Sequence, residues 1–146
     1  MAYKGYFRPK NPQKYRGNPS NIIYRSRWEL KLMMHLDEHP DVVEWCSEEF
    51  FIPYRSPVDG KIHRYFPDFY VKKINKQGLT ETAIIEVKPL AQTMEPKKQP
   101  KPSRKYITEV MTYGVNQAKW KAAREYCADR KWTFHIFTEK ELGINF

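Results

Sequence analysis

Arg64-Tyr-Phe-Pro-Asp-Phe-Tyr-Val71, followed by Ala83-Ile-Ile-Glu-Val-Lys-Pro89, is the stretch whose reading decides the fold. Both segments are rich in aromatic and β-branched residues and read as strands, with Asn75-Lys-Gln-Gly78 between them as a turn signal. Side chains alternate along a strand, so Glu86 and Lys88 share one face and Val87 points the other way. Ile84 and Ile85 form an apolar run directly upstream, which places this strand inside with both faces covered. Two acids and a lysine at the end of a buried strand are costly unless they are paired or hold a cation. Asp68 and Glu86 supply hard oxygen ligands of the kind Mg²⁺ takes. Lys88 beside them can orient a water or stabilise negative charge developing on a phosphate.

Working outward, Lys61 to Phe66 reads as a strand returning from the turn Ser56-Pro-Val-Asp-Gly60, so a hairpin leads into Asp68. Asp41–Trp45 and Glu49–Tyr54 read as the short strands before it; Glu48 and Glu49 could approach a metal, but a solvated loop is the favoured reading. Upstream, apolar spacing at Ile22, Ile23, Leu30, Met33 and Met34 predicts a first helix over 21–38, ended by His39-Pro40. Ser26-x-x-Glu29 can be a capping box, but a helix already under way at Ile22 favours Ser20 as the cap and leaves Glu29 mid-helix. Downstream, Pro89 stops the strand, and residues 89–103 form a basic, proline-rich loop. A helix over 104–129 follows, its apolar side marked by Ile107, Val110, Met111, Ala118, Ala122 and Cys127 or Tyr126, with Gly114 as a place to break or kink. Asn116, Gln117, Lys119 and Lys121 read as its exposed face. Trp132–Phe137 is a last strand, and Thr138–Leu142 a short helical turn. His63 and His135 read as ordinary strand histidines.

The chain has 146 residues, 40% of them hydrophobic, enough for one domain with one sizeable core. Residues 1–20 read as a basic aromatic arm and 21–146 as a single domain. No apolar run reaches the length of about 20 residues needed to cross a membrane. Met1 to Ser20 has no apolar core segment, so no secretory signal is expected. Cys46 and Cys127 belong to no Cys-x-x-Cys pair, which argues against structural zinc and fits a reducing compartment.

The net charge is +9, and its distribution is uneven. Lys4, Arg8, Lys10, Lys14 and Arg16 stand within residues 1–20 without an acid. Lys97, Lys98, Lys101, Arg104 and Lys105 stand within 95–105 against Glu95 alone. These two segments carry the whole excess (5 + 5 − 1 = 9), and the rest of the chain is neutral. Positive charge gathered on irregular segments points to a polyanion, most often nucleic acid. The ten cations are therefore candidate DNA contacts, sequence-independent in kind. Tyr3, Tyr6, Phe7 and Tyr15 in the arm can pack on bases or strap the arm to the protein's own sheet.

Pro67-Asp68 with Glu86-Val87-Lys88 resembles the PD-(D/E)xK signature of the restriction-endonuclease-like nucleases. Pro-Asp and Glu-x-Lys are each common on surfaces, but here both halves sit on strand patterns in a basic chain. Tyr24-Arg-Ser-Arg-Trp-Glu29, Ile52-Pro-Tyr54, Tyr65-Phe-Pro-Asp68 and Ile85-Glu-Val-Lys-Pro89 are similar to TnsA-type transposon endonucleases. Glu44-Trp-Cys-Ser-Glu-Glu-Phe50 and His63-Arg-Tyr-Phe-Pro-Asp68 are similar to head-completion proteins of large tailed bacteriophages, over nearly the whole chain. Position 86 is Glu here, where some TnsA-type proteins carry another residue, so the motif is intact.

The resemblance implies an α/β fold with a central mixed β-sheet flanked by α-helices. It implies a metal-dependent DNA endonuclease with Glu29, Asp68, Glu86 and Lys88 as catalytic residues. Asp68, Glu86 and Glu29 would hold Mg²⁺, with Mn²⁺ able to substitute. The implied task is work on DNA ends or packaged heads before tail joining. DNA would be the main partner, with phage head or neck proteins as further ones. The implied setting is the host cytoplasm or the virion, with no membrane. Two other expectations are a non-catalytic virion assembly factor that binds DNA or the head and neck, and a TnsA-like transposition endonuclease.

Overall fold

The computed structural model describes residues 4–145, with side chains through Leu142. Tyr3 lies outside the described residues. Strand β1 (Gly5–Phe7) pairs antiparallel with β2 (Ile22–Tyr24), and a 3₁₀ turn at Pro12–Lys14 lies between them. Helix α1 (Arg27–Glu38) and strand β3 (Val42–Cys46) follow. Strands β4 (Ile52–Arg55) and β5 (Ile62–Tyr65) form a separate two-stranded ribbon. Strands β6 (Phe69–Ile74) and β7 (Thr80–Val87) form the central hairpin. After the short helix α2 (Leu90–Thr93) comes α3 (Arg104–Arg130), then β8 (Thr133–Phe137) and α4 (Glu139–Asn145).

The main sheet has the order β3-β6-β7-β8, antiparallel except for the parallel β7–β8 pair. Helix α3 is the crossover that a parallel pair requires. The β6–β7 turn closes as its residues dictate: Asn75 Oδ1 accepts from the Gln77 and Leu79 N–H groups, and Gly78 takes the left-handed conformation at φ +79°. Ile84, Ile85 and Glu86 are all buried, so β7 is covered on both faces as its unbroken apolar run requires. Leu32, Met33 and Leu36 of α1 belong to one core with Trp45, Phe69, Val71 and Ile85. Trp120 and Ala123 of α3 form a second cluster with Ile52, Tyr54 and Tyr65, against which Phe134 and Ile136 pack. The result is the expected mixed sheet between helices. Among the described residues, no helix is long and apolar enough to cross a membrane.

Four expectations need correction. The first helix does not begin at residue 21. Ile22–Tyr24 is a strand because β1 supplies a partner for its β-branched residues. Ser26, not Ser20, is the cap: it has extended backbone angles and its Oγ accepts from the Glu29 N–H at 3.1 Å. Gly114 neither breaks nor kinks α3, which runs unbroken over 27 residues. The expected apolar side of α3 holds where Cys127 is buried and Ala118, Ala122 and Tyr126 pack on the core, but Ile107, Val110 and Met111 are exposed, and Asn116, Trp120 and Ala123 are buried. The α3 residues that pack in the ribbon cluster run from Val115 to Tyr126, so the turns carrying Ile107, Val110 and Met111 are not part of it.

The N-terminal segment is a strap rather than a free arm. Phe7 and Tyr15 are buried against Trp45, with ring centroids 5.9 and 4.8 Å away. The Arg16 N–H donates to the Trp45 carbonyl at 2.8 Å, extending the β3 edge. Asp37, 1% exposed, accepts from the Lys10 and Asn11 N–H groups at 2.8 and 3.0 Å. A buried carboxylate with two backbone donors fixes the chain that supplies them.

The two cap readings separate experimentally. Ser26→Ala is expected to lower stability by about 1 kcal/mol through loss of the N-cap, and Ser20→Ala to leave it unchanged. Urea unfolding of both variants checks this.

Candidate active site

The site grows from the β6–β7 register. Phe69 stands opposite Ile85 and Tyr70 opposite Ile84. One step further along the same register puts Asp68 opposite Glu86, and directly opposed residues share a face. Pro67 ends the ribbon's return and lets Asp68 turn its carboxylate along β7, where Oδ2 accepts from the Val87 N–H at 2.8 Å. Glu86 is 6% exposed. Its Oε1 accepts from the Tyr65 hydroxyl at 2.7 Å, and its Oε2 lies 3.7 Å from Lys88 Nζ. The Glu86–Lys88 contact follows from strand alternation, which puts both on one face. The lysine side chain keeps a quarter of its surface, at the mouth of the cleft.

Electrostatics ties two more acids to this pair. Burial pushes the Asp68 carboxyl well above its ordinary value, and the charges of Glu86, Glu29 and Glu48 push it further; the Val87 N–H works against them. Asp68 keeps a little surface at the cleft mouth, but packed protein strips most of its water. Glu29 is also raised, first by desolvation and then by Glu48, against the Arg25 N–H. Glu29 Oε2 accepts from that N–H at 3.3 Å, and Oε1 lies 3.4 Å from Ser26 Oγ. Glu48 is ion-paired with Arg25 and has a left-handed backbone at φ +52°, unusual for a side chain of its size.

Glu29, Asp68, Glu86 and Lys88 thus stand around one cleft, although Glu29 belongs to a helix cap. Among the described residues no three His, Cys, Asp or Glu side chains gather as a metal-holding group. Of the three carboxylates expected as ligands, Glu29 has its oxygens met by the Arg25 N–H and Ser26 Oγ. What remains is a buried carboxylate pair whose one close cation is Lys88. That donor set fits a hard divalent cation, since the buried acids outnumber the cations beside them.

Three further residues shape this site. Tyr65, which orients Glu86, lies two residues ahead of Pro67, and its alternation with the exposed Phe66 was the available signal. Glu48 reads from the sequence as part of a solvated loop that could approach a metal, and Arg25 carries no signal of its own.

The candidate DNA contacts divide. Lys10 pairs with Glu38 at 2.9 Å, Lys14 Nζ donates to the Asp37 and His39 carbonyls, and Arg16 stacks over Tyr70 beside Glu44. Lys4 and Arg8 are exposed, as are Lys97, Lys98, Lys101, Arg104 and Lys105. Lys105 reaches only Glu109, at 3.9 Å. The buried Asn116 is no part of an exposed polar face on α3. His63 pairs with Asp59 at the ribbon's tip, away from the cleft.

Residues 39–139 match the family described as TnsA-like endonuclease N terminal. The chain belongs to this family. It is also 39% identical over 146 residues to the head completion nuclease of Enterobacteria phage T4, covering 97% of this chain and 95% of that one. The match to the TnsA-like family takes in Asp68, Glu86 and Lys88 but begins after Glu29. The restriction-endonuclease-like sheet that the family carries is the one described above.

The raised Asp68 carboxyl has a pH signature. A raised folded-state value means the native protein holds this proton more tightly than the unfolded chain. The associated stability is fully present below the ordinary value of 3.8 and is lost as pH rises above it. Asp68→Asn removes the ionisation and keeps an oxygen for the Val87 N–H. In chelator-treated protein it is expected to raise Tm at neutral pH, with the gain shrinking toward pH 3.8. Thermal melts across that range check the sign.

Proposed function

We propose that this protein is a divalent-metal-dependent DNA endonuclease of phage head completion, acting on DNA ends or packaged heads before tail joining. The observation that carries the reading is the buried Asp68–Glu86 pair with Lys88 Nζ 3.7 Å from Glu86. Membership in a TnsA-like endonuclease family and the likeness to a head completion nuclease support it. Asp68 and Glu86 would hold the cation, with Glu29 and Glu48 reinforcing the negative field around it. Mg²⁺ is the proposed ion, with Mn²⁺ able to replace it. When bound, such an ion offsets charge on nonbridging phosphate oxygens and lowers the pKa of a bound water.

The chain's own residues have separate tasks. The Val87 N–H fixes the Asp68 carboxylate, and the Tyr65 hydroxyl fixes that of Glu86, so neither has to reorganise during reaction. Lys88 sits at the mouth with its ammonium toward the cleft, where it can hold the attacking water and meet the charge that builds on the phosphate. The burial of the pair excludes bulk water, which strengthens each of these contacts. Lys97, Lys98, Lys101, Arg104 and Lys105, on and beside the loop that leaves the site after Lys88, would hold the DNA backbone without reading sequence. Phage head or neck proteins are proposed as further partners, in the host cytoplasm or on the virion.

Lys88→Ala is expected to lower cleavage by about 10²–10³-fold, with little change in DNA affinity and a lowered Tm, since Glu86 loses its ammonium partner. The assay is nicking of supercoiled plasmid in Mg²⁺, Mn²⁺ or EDTA, with a melt alongside. Equal cutting by wild type and variant would discard the assigned site. A wild type that cuts no DNA form with either metal, yet still completes heads, would leave an assembly role alone.

Binding should also depend steeply on salt. Neutralising Lys97, Lys98 and Lys101 to Gln is expected to flatten the slope of log affinity against log salt by about 3. Fluorescence anisotropy over a salt series measures it; an unchanged slope removes the loop from the DNA interface.

A further inference from the structure

The outer face of the β4–β5 ribbon is unused by anything described above. Its register pairs Ile52 with Tyr65, Pro53 with Arg64, Tyr54 with His63 and Arg55 with Ile62. Ile52, Tyr54 and Tyr65 face α3, and Lys119 Nζ lies 5.9 and 5.7 Å from the Tyr54 and Tyr65 rings. Alternation therefore puts Pro53, Arg55, Ile62 and Arg64 on the opposite face, and one further register step adds Phe51 opposite Phe66. The two phenylalanines are 43% and 44% exposed, with ring centroids 5.9 Å apart. Arg64 Cζ lies 5.0 Å from the Phe51 centroid. This face holds two arginines and no acid.

Position gives the patch its meaning. Phe66 is two residues from Asp68, so at most about 7 Å separates the Cα atoms that carry one ring of the pair and one carboxylate of the site. The ribbon's inner face is locked by the Tyr65–Glu86 hydrogen bond and by α3, so the outer face is held at a fixed angle to the cleft. Exposed rings beside a guanidinium, next to a centre that handles phosphodiesters, are a stacking surface for a base rather than a core in search of burial.

We infer that Phe51, Phe66 and Arg64 form a platform on which an unpaired nucleotide stacks, directing the cleft to DNA whose strands are splayed beside the scissile phosphate. This rests on the cleft being a DNA-hydrolysing site. A base inside a continuous duplex is already stacked and offers the rings no free face. An unpaired base exchanges water for two rings, and the arginine meets its phosphate. Stacking on this scale corresponds to about a tenfold to hundredfold preference.

The test compares cleavage of a duplex with splayed, unpaired ends and of the fully paired duplex of the same sequence. Wild type is expected to cut the splayed form at least tenfold faster. Phe51→Ala/Phe66→Ala should bring the ratio near one, and Phe51→Tyr/Phe66→Tyr should keep it. Should the alanine variant fold poorly by circular dichroism, Phe51→Leu and Phe66→Leu retain apolar bulk without a ring and decide the question. An equal ratio in wild type, or a ratio unchanged in the ring-less variants, overturns the platform and leaves the face to a protein partner. A second measurement needs no cleavage: 2-aminopurine at the unpaired position, with the protein in EDTA. Quenching by wild type that is lost in the ring-less variants supports stacking, and absence of quenching overturns it. If wild type cuts neither duplex but quenches, the cleft reading has failed and the platform stands.

Discussion

The structure turns on a carboxylate buried in the middle of a protein. Glu86 lies near the end of β7, at 6% exposure, where an unsatisfied charge would cost several kcal/mol. Its two oxygens are met from two directions, by the Tyr65 hydroxyl and the Lys88 ammonium. Tyr65 must therefore point inward, which ties the β4–β5 ribbon to the sheet although no backbone pairing joins them. Trp120 and Ala123 of α3 then pack on the ribbon's inner side. One polar group thus sets the relation of sheet, ribbon and long helix, and strand alternation sends Phe66 outward as a consequence.

A second buried carboxylate performs the same service at the other edge. Asp37 caps the path of Lys10 and Asn11, and Trp45 receives Phe7 and Tyr15. The strap covers the exposed side of β3, an edge that would otherwise offer free backbone groups. Several of the strap's cations are consumed in doing so, through Glu38, Glu44 and helix-end carbonyls. Among the described residues, the basic segment at 97–105 makes one ion pair, Lys105 with Glu109, and its cations are exposed.

Much of this was legible from residues alone, and for definite reasons. β6 and β7 were readable because an unbroken apolar run has few other uses, and Asn75 to Gly78 allow only a tight turn. Asp68, Glu86 and Lys88 followed, since the chemistry of a charged strand end is narrow. Ile22–Tyr24 was misread because apolar spacing over so few residues fits helix and strand alike. Its strand partner is supplied by Gly5–Phe7, a tertiary fact that local pattern does not carry. The exposed Ile107, Val110 and Met111 show the same limit: periodicity marks an apolar stripe but not what covers it. Glu48 escaped because its role depends on a left-handed turn and on Arg25 rather than on sequence spacing.

Placing Glu29 at the third position of a helix reconciles the two readings that its sequence left open. Ser26 and the Arg25 N–H hold the carboxylate as a cap, and from the cap its charge reaches Asp68. A residue can thus be structural in its contacts and electrostatic in its effect. Counting the groups that bear on the cleft gives Glu29, Glu48, Asp68 and Glu86 against Arg25 and Lys88. A centre with more acids than bases lies within a chain of net charge +9. The basic rim attracts a phosphodiester, and the bare carboxylates repel it at close range, where interactions are least screened. Under the proposed function, a bound divalent cation reverses that local sign. Metal loading would then govern close approach of DNA to the cleft as well as its chemistry, while attachment through the basic loop remains independent of metal.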